Sequence, residues 1–254
     1  MNRKLRGILV VIPAHNEQGS ILDCLNAVER SRKMLKSTHA GIAVRIVVVL
    51  DSCNDATARH ANNFANTHPG YSVLNVYFSN VGESRAFGVS QGIKRLPAAR
   101  RGAGYWIACT DADTKVPGQW LGEFVSAYQN GADAVTGTVE PDRSELPTRL
   151  YRRWRKRYTL APRHRHIHGA NLGISAETYF RIGGFRPLAT HEDVELVSRI
   201  RRSGYRVDAT DRLHAITSGR LQGRVNSGFA DYLSALADED HPAAPSSPGA
   251  IRTI

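Results

Sequence analysis

Asp111 and Asp113 stand one alanine apart, just beyond the apolar run Trp106-Ile107-Ala108-Cys109 and a single threonine. An apolar run of strand length carries its last residues to the carboxyl edge of a sheet, where open α/β folds bind their ligands. Two carboxylates there suit a hard divalent ion such as Mg2+ or Mn2+, which takes oxygen ligands and completes its shell with water and substrate phosphate. Asp-x-Asp equally suits plain turn chemistry, in which an aspartate after a strand bonds its own backbone. A second acidic cluster, Glu192-Asp193-Val194-Glu195, opens an amphipathic helix bearing Val194, Val197 and Ile200. By local pattern Asp193, three residues after Thr190, is a capping-box acid.

The elements that must position these acids follow from periodicity. Leu9 to Ile12 is a buried strand left by the loop Pro13-Ala14-His15-Asn16-Glu17, and Ile21, Leu22, Leu25 and Val28 then keep helical spacing behind a Ser20 cap. Arg45 to Leu50 is a second strand, followed by the polar loop Asp51-Ser52-Cys53-Asn54-Asp55 and a helix from Ala56 to Ala65. Val73 to Phe78, a helix with Phe87, Val89 and Ile93, and the strand before Asp111 extend the alternation. Alternating β and α predicts a parallel sheet with helices on its faces. Further on, Trp120 to Tyr128 is a helix, Ala134 to Val139 a strand, Tyr205 to Ala209 a late strand with His214 after it, and Phe229 to Ala237 a last helix. Neither a Gly-x-Gly-x-x-Gly after the first strand nor a P-loop occurs, which argues against dinucleotide dehydrogenases and P-loop enzymes.

The chain has 254 residues, with 34 Lys and Arg against 23 Asp and Glu, and the resulting formal charge of +11 favours anionic partners. Between Arg149 and Arg165 stand seven arginines, one lysine and no acid, with Tyr151, Trp154 and Tyr158 interleaved. That pattern is either a surface for nucleic acid or an acidic membrane, or a solvated helix whose aromatics pack inward. Cys24, Cys53 and Cys109 lack metal-ligand spacing and fit reduced thiols of a cytosolic protein. The basic start before Gly7 gives way at His15-Asn16-Glu17 without a cleavage site, as a first strand does and a signal peptide does not. The proline- and serine-rich residues 238–254 are expected to form a disordered tail.

Four blocks stand in one order: Val11-Ile12-Pro13-Ala14-His15-Asn16-Glu17, Val49-Leu50-Asp51-Ser52-Cys53-Asn54-Asp55-Ala56-Thr57, Thr110-Asp111-Ala112-Asp113 and His191-Glu192-Asp193. With Asn80-Val81-Gly82, Gly169-Ala170-Asn171-Leu172 and Gly183-Gly184-Phe185, the chain resembles family 2 glycosyltransferases of the GT-A fold. The resemblance implies one Rossmann-like α/β domain over 1–237, with a mostly parallel central sheet, a nucleotide-sugar half at 1–115 and an acceptor half at 116–237. It implies that Pro13, Ala14, Asn16 and Glu17 wall the nucleoside, that Asp51 bonds the base and that Asp111 touches the ribose or a metal-bound water. Asp113 would ligate Mn2+ or Mg2+ on the diphosphate, with Arg85 adding positive charge and His214 completing the metal shell unless it is an ordinary structural histidine. Asp193 would be the general base of an inverting transfer, with Glu192 the neighbour that competes for the role.

Two departures qualify this. Leu50-Asp51 stands where many members carry two acids, and no Gln-x-x-Arg-Trp follows Asp193. The second departure, with the lack of a membrane-spanning run, implies transfer of a single sugar rather than polymerisation. A sugar-nucleotide nucleotidyltransferase would carry a glycine-rich basic loop after its first strand, and a nucleic-acid module would leave the acidic blocks unused. The expected partners are a nucleotide sugar and a phosphorylated or lipid-linked acceptor, with no specific nucleic acid, in a cytoplasmic protein touching the inner membrane surface through 149–165.

Overall fold

Alternate residues of the first strand, β1 (Gly7–Ala14), enter two different cores, as the period of two in a strand requires. Ile8, Val10 and Ile12 pack with one set of helices, and Leu9 and Val11 with the other. In this computed structural model, which describes residues 3–96, 104–223 and 228–239, β1 therefore lies in the middle of the molecule.

The chain continues as α1 (Ile21–Thr38), β2 (Ala43–Asp51), α2 (Thr57–Thr67), β3 (Tyr71–Val76), α3 (Val81–Ile93), β4 (Tyr105–Cys109) and α4 (Trp120–Gln129). Then come β5 (Ala134–Pro141), α5 (Thr148–Arg157), β6 (Leu172–Ser175), α6 (Ala176–Arg181), α7 (Glu192–Arg202), β7 (Val207–Thr217) and α8 (Phe229–Asp238). Among the described residues seven strands form one sheet in the order β3-β2-β1-β4-β6-β5-β7, with only β6 antiparallel to its neighbours. The expected mostly parallel α/β sheet is thus present. α1 and α4 cover one face through Ile21, Leu25, Val28, Trp120 and Phe124, while α3 and α7 cover the other through Val89, Ile93, Leu196 and Ile200.

The strand order reverses beside β1, since β2 and β3 add on one side and β4 on the other. Such a switch point opens a crevice at the carboxyl ends of the strands. Here those ends are Pro13 and Ala14 of β1 and the Thr110-Asp111 continuation of β4. Because β6 runs antiparallel, with Leu172 opposite Cys109, the residues before it, His168 to Asn171, arrive at the same edge.

The late strand is longer than its apolar signal. It runs to Thr217 and includes His214, because a register shift between Thr136 and Thr138 lets residues 210–213 bulge out before pairing resumes at His214. Asn171 ties this bulge, donating to the carbonyls of Thr138 and Leu213 at 2.8 Å each and accepting from the Trp120 indole at 2.9 Å. Gly137 is required there, because a Cβ would lie 2.3 Å from the Asn171 amide. Of the tail expected at 238–254, residues 240–254 lie outside the described residues.

Candidate active site

The loops at this edge are held in unusual backbone geometry. Asn16, Ser52, Ser79 and His191 all have positive φ, between 50° and 58°. Non-glycine residues pay for that conformation in steric strain and concentrate at functional sites. Together with the strand ends these loops border a cleft of about 770 Å³ lined by Pro13, Ala14, Glu17, Asp51, Arg85, Asp111, Asp113, Asp193 and Arg220. That volume is within the range of sites for small organic ligands.

At the carboxyl ends of β2 and β4, three acids differ sharply. The Asp51 carboxylate accepts from the Ser79 and Asn80 amides at 2.8 and 3.1 Å, and from the Ser84 and Ser52 hydroxyls at 2.8 and 3.0 Å. Burial alone would raise its pKa, but these four hydrogen bonds outweigh it and hold the carboxyl below its ordinary value. Asp51 therefore fixes the β3–α3 loop first, and offers a ligand only what remains. Asp111 is 37% exposed and accepts from Arg85. Asp113 is 12% exposed, and burial pushes its carboxyl up in spite of Arg220, whose guanidinium stands 2.8 Å away.

Two expected residues are placed elsewhere. Asn16 does not line the cleft; its carbonyl oxygen accepts from the Asn54 amide at 2.9 Å and so ties the β1–α1 loop to the β2–α2 loop. His214, expected beside the metal, points from β7 to Glu140 at 2.7 Å and Thr138 at 3.0 Å, and does not line the cleft either. Among the described residues no three His, Cys, Asp or Glu side chains gather as a metal cage. What the site does offer is a largely buried carboxylate, Asp113, beside a half-exposed one, Asp111. That donor set fits a divalent cation completing its shell with diphosphate and water.

Arg85 borders the cleft but is buried, its guanidinium already committed to two acids. It is 2% exposed and its two terminal nitrogens pair with Asp111 and Glu192. Burial lowers its pKa and the two carboxylates more than restore it, so it stays charged. Glu192 is accordingly turned inward, 4% exposed, with burial pushing its carboxyl up against the pull of Arg85. Asp193 is the freer of the pair. It accepts from the Gly169 amide at 2.6 Å and the Val194 amide at 2.7 Å and lines the cleft. It forms no capping box with Thr190, because α7 starts at Glu192 behind a left-handed His191.

The far wall is aromatic. Tyr158 stacks on His166 at 3.9 Å between centroids, its hydroxyl lies 2.7 Å from His168, and Phe229 meets His168 edge to face. Desolvation pushes His168 down to about 3, so it is neutral at ordinary pH. The interleaved aromatics of the basic segment are thereby explained: Leu150 and Trp154 on α5, and Tyr158 just after it, recur every four residues and share one apolar cluster with Leu233 and Leu236 of α8, against which Tyr151 also packs. Arg153 donates to the Leu236 carbonyl at 2.7 Å and Arg157, though exposed, pairs with Glu239, leaving Arg149, Arg152, Arg155 and Lys156 on the exposed side.

Arg220 has no signal in the sequence. It sits 203 residues from Glu17, to whose carboxylate it donates at 2.9 and 3.1 Å, and only the return of β7 to the sheet edge brings them together.

The sequence signature described as Glycosyl transferase family 2 matches residues 9–188. No curated protein matches the chain in sequence. Among solved structures, a mannosyltransferase from Pyrobaculum calidifontis in complex with GDP-Man and Mn2+ superposes with a TM-score of 0.57 at 19% identity, over 95% of this chain and 66% of that one. The glucosyl-3-phosphoglycerate synthase of Mycobacterium tuberculosis, in complex with Mn2+, UDP-Glc and phosphoglyceric acid, superposes with a TM-score of 0.53 at 15% identity, over 92% and 79%. At these identities the likeness is one of fold.

Proposed function

The chain belongs to glycosyl transferase family 2, and from that premise we propose that it moves a single sugar from a nucleotide sugar to an anionic acceptor, with Asp193 as general base. One observation carries this reading: Asp111, Asp113 and Asp193 line one cleft, and Glu192, which also borders it, is buried and already committed to an ion pair with Arg85. Pro13, Ala14 and Glu17 border the donor side, and Asp113 with Asp111 would hold Mn2+ or Mg2+. When bound, such a cation neutralises charge developing on a leaving diphosphate. Asp193 takes the proton of the acceptor hydroxyl as its oxygen bonds the anomeric carbon, and the bond from that carbon to the diphosphate breaks. A single displacement of this kind inverts configuration. The Mn2+ complexes of the two similar structures support the metal.

Donor binding is tested by melting the protein with UDP, GDP and their sugars, with and without Mn2+. A ligand at a hundred times its Kd should add about 2.7 kcal/mol of stability. That gain should require Mn2+ or Mg2+ and vanish in Asp113→Ala, whose side chain lies in a turn outside the apolar core. Equal stabilisation in excess chelator would sink the metal assignment.

The acceptor side carries the exposed basic face of α5, beside the aromatic wall. No described helix is long and apolar enough to cross a membrane, so contact with a lipid-linked acceptor would be peripheral. Arg152, Arg155 and Lys156 are the residues to change, since Arg153 and Arg157 also hold α8. A basic residue near an anionic bilayer contributes about 1 kcal/mol. Replacing all three by glutamine should therefore weaken binding to phosphatidylglycerol vesicles by roughly a hundredfold, with donor affinity unchanged. If the unaltered protein ignores such vesicles, the membrane part of the proposal fails.

A further inference from the structure

We propose that Arg220 is a diphosphate-binding residue that changes partners, holding Glu17 and Asp113 until a divalent cation claims Asp113 and then turning to the donor's diphosphate. The inference rests on the donor-site reading above. Its geometry is that of a fork laid across the cleft. One terminal nitrogen of Arg220 donates to both oxygens of Glu17, at 2.9 and 3.1 Å, and the other lies 2.8 Å from Asp113 Oδ2. The two acids are 8% and 12% exposed, so each needs a counter-charge, and one guanidinium serves both.

The backbone that carries Arg220 is anchored independently of those acids. Glu145 accepts from the Ser218 hydroxyl and the Gly219 amide, each at 2.7 Å, and a Cβ at Gly219 would lie 2.9 Å from the Asp142 carbonyl. The side chain itself is 31% exposed. A fixed root with a half-free head allows the guanidinium to change partners by side-chain rotation alone.

Electrostatics sets the direction of the exchange. A divalent cation on Asp113 would put three positive charges within contact distance of one carboxylate, so cation and guanidinium oppose each other there. A diphosphate removes the conflict by adding negative charge, and an arginine fork matches phosphate oxygens with paired hydrogen bonds that lysine does not reproduce. The protein alone should therefore bind Mn2+ weakly, and nucleoside diphosphate and Mn2+ should bind cooperatively.

The test counts free Mn2+ by electron paramagnetic resonance in the protein without nucleotide, then measures UDP and GDP affinity by calorimetry at saturating Mn2+. Arg220→Ala should bind Mn2+ alone at least tenfold more tightly, yet hold the preferred nucleoside diphosphate at least tenfold more weakly. Arg220→Lys, which keeps the charge and loses the fork, should retain weak Mn2+ binding and still lose diphosphate affinity. If nucleotide binds but Mn2+ affinity without it is the same in Arg220→Ala, or absent from both proteins, the exchange is wrong and the donor site stands. If neither UDP nor GDP binds the unaltered protein, the donor reading falls and the exchange with it.

Discussion

Asp193→Asn should lower turnover by about a hundredfold to ten-thousandfold, the usual contribution of a general base, while donor affinity stays within a factor of about two. The site makes this a clean substitution. Asp193 is held by two backbone amides, Gly169 and Val194. Asparagine keeps one acceptor oxygen for Gly169 and gives up the bond to Val194, whose amide is open to water at the start of α7. The stability cost should be about 1 kcal/mol, the net worth of one such hydrogen bond. Were Asp193 only a helix-terminus acid, the ordering would reverse, with a lower melting temperature and an unchanged rate per folded molecule. Single-turnover kinetics beside a melting curve separates the two outcomes, and full activity in the folded variant would remove Asp193 from the mechanism.

How far the site was legible depends on whether a residue's partner is local. Strands β1 and β4 and residues 46–50 of β2 are continuous apolar runs, buried on both faces, and their carboxyl ends are marked by the acids and prolines that follow. The sheet and the positions of Asp51, Asp111 and Asp113 therefore follow from pattern alone. Strand β7 does not, because its pairing is broken by a bulge and its second half, Leu213, Ala215 and Thr217 inward, alternates with Arg212, His214 and Ile216. Missing that half also misplaced His214, whose partner Glu140 lies on the neighbouring strand. Asn16 was misread for a different reason: a polar loop residue beside a site either faces the ligand or ties loops together, and only its bond to Asn54 decides. The burial of Glu192 beside the freer Asp193 depends on Arg85, which reaches it from another helix.

Arg85→Met should be the most damaging of these substitutions to the fold, at about 3–5 kcal/mol, the range for removing one partner of a buried ion pair. The guanidinium joins Asp111, at the end of β4, to Glu192, at the start of α7, and lies over the Phe185 ring at 5.9 Å. Gly169 is pressed against it, since a Cβ there would stand 2.0 Å from a terminal nitrogen, and the same Gly169 donates its amide to Asp193. One buried cation thus fixes Asp111 on one wall of the cleft and, through Glu192 and Gly169, the frame of Asp193 on another. Methionine fills much of the volume but leaves Glu192, 5% exposed in its side chain, without a counter-charge. Glu192→Gln in the same chain removes that uncompensated charge, so the double variant should be more stable than the sum of the single losses by at least about 2 kcal/mol, as expected of residues in direct contact. Urea melts of the four proteins measure the coupling. Additive losses would show that Arg85 and Glu192 act separately, and would leave the pairing with Asp111 to account for the burial of the guanidinium.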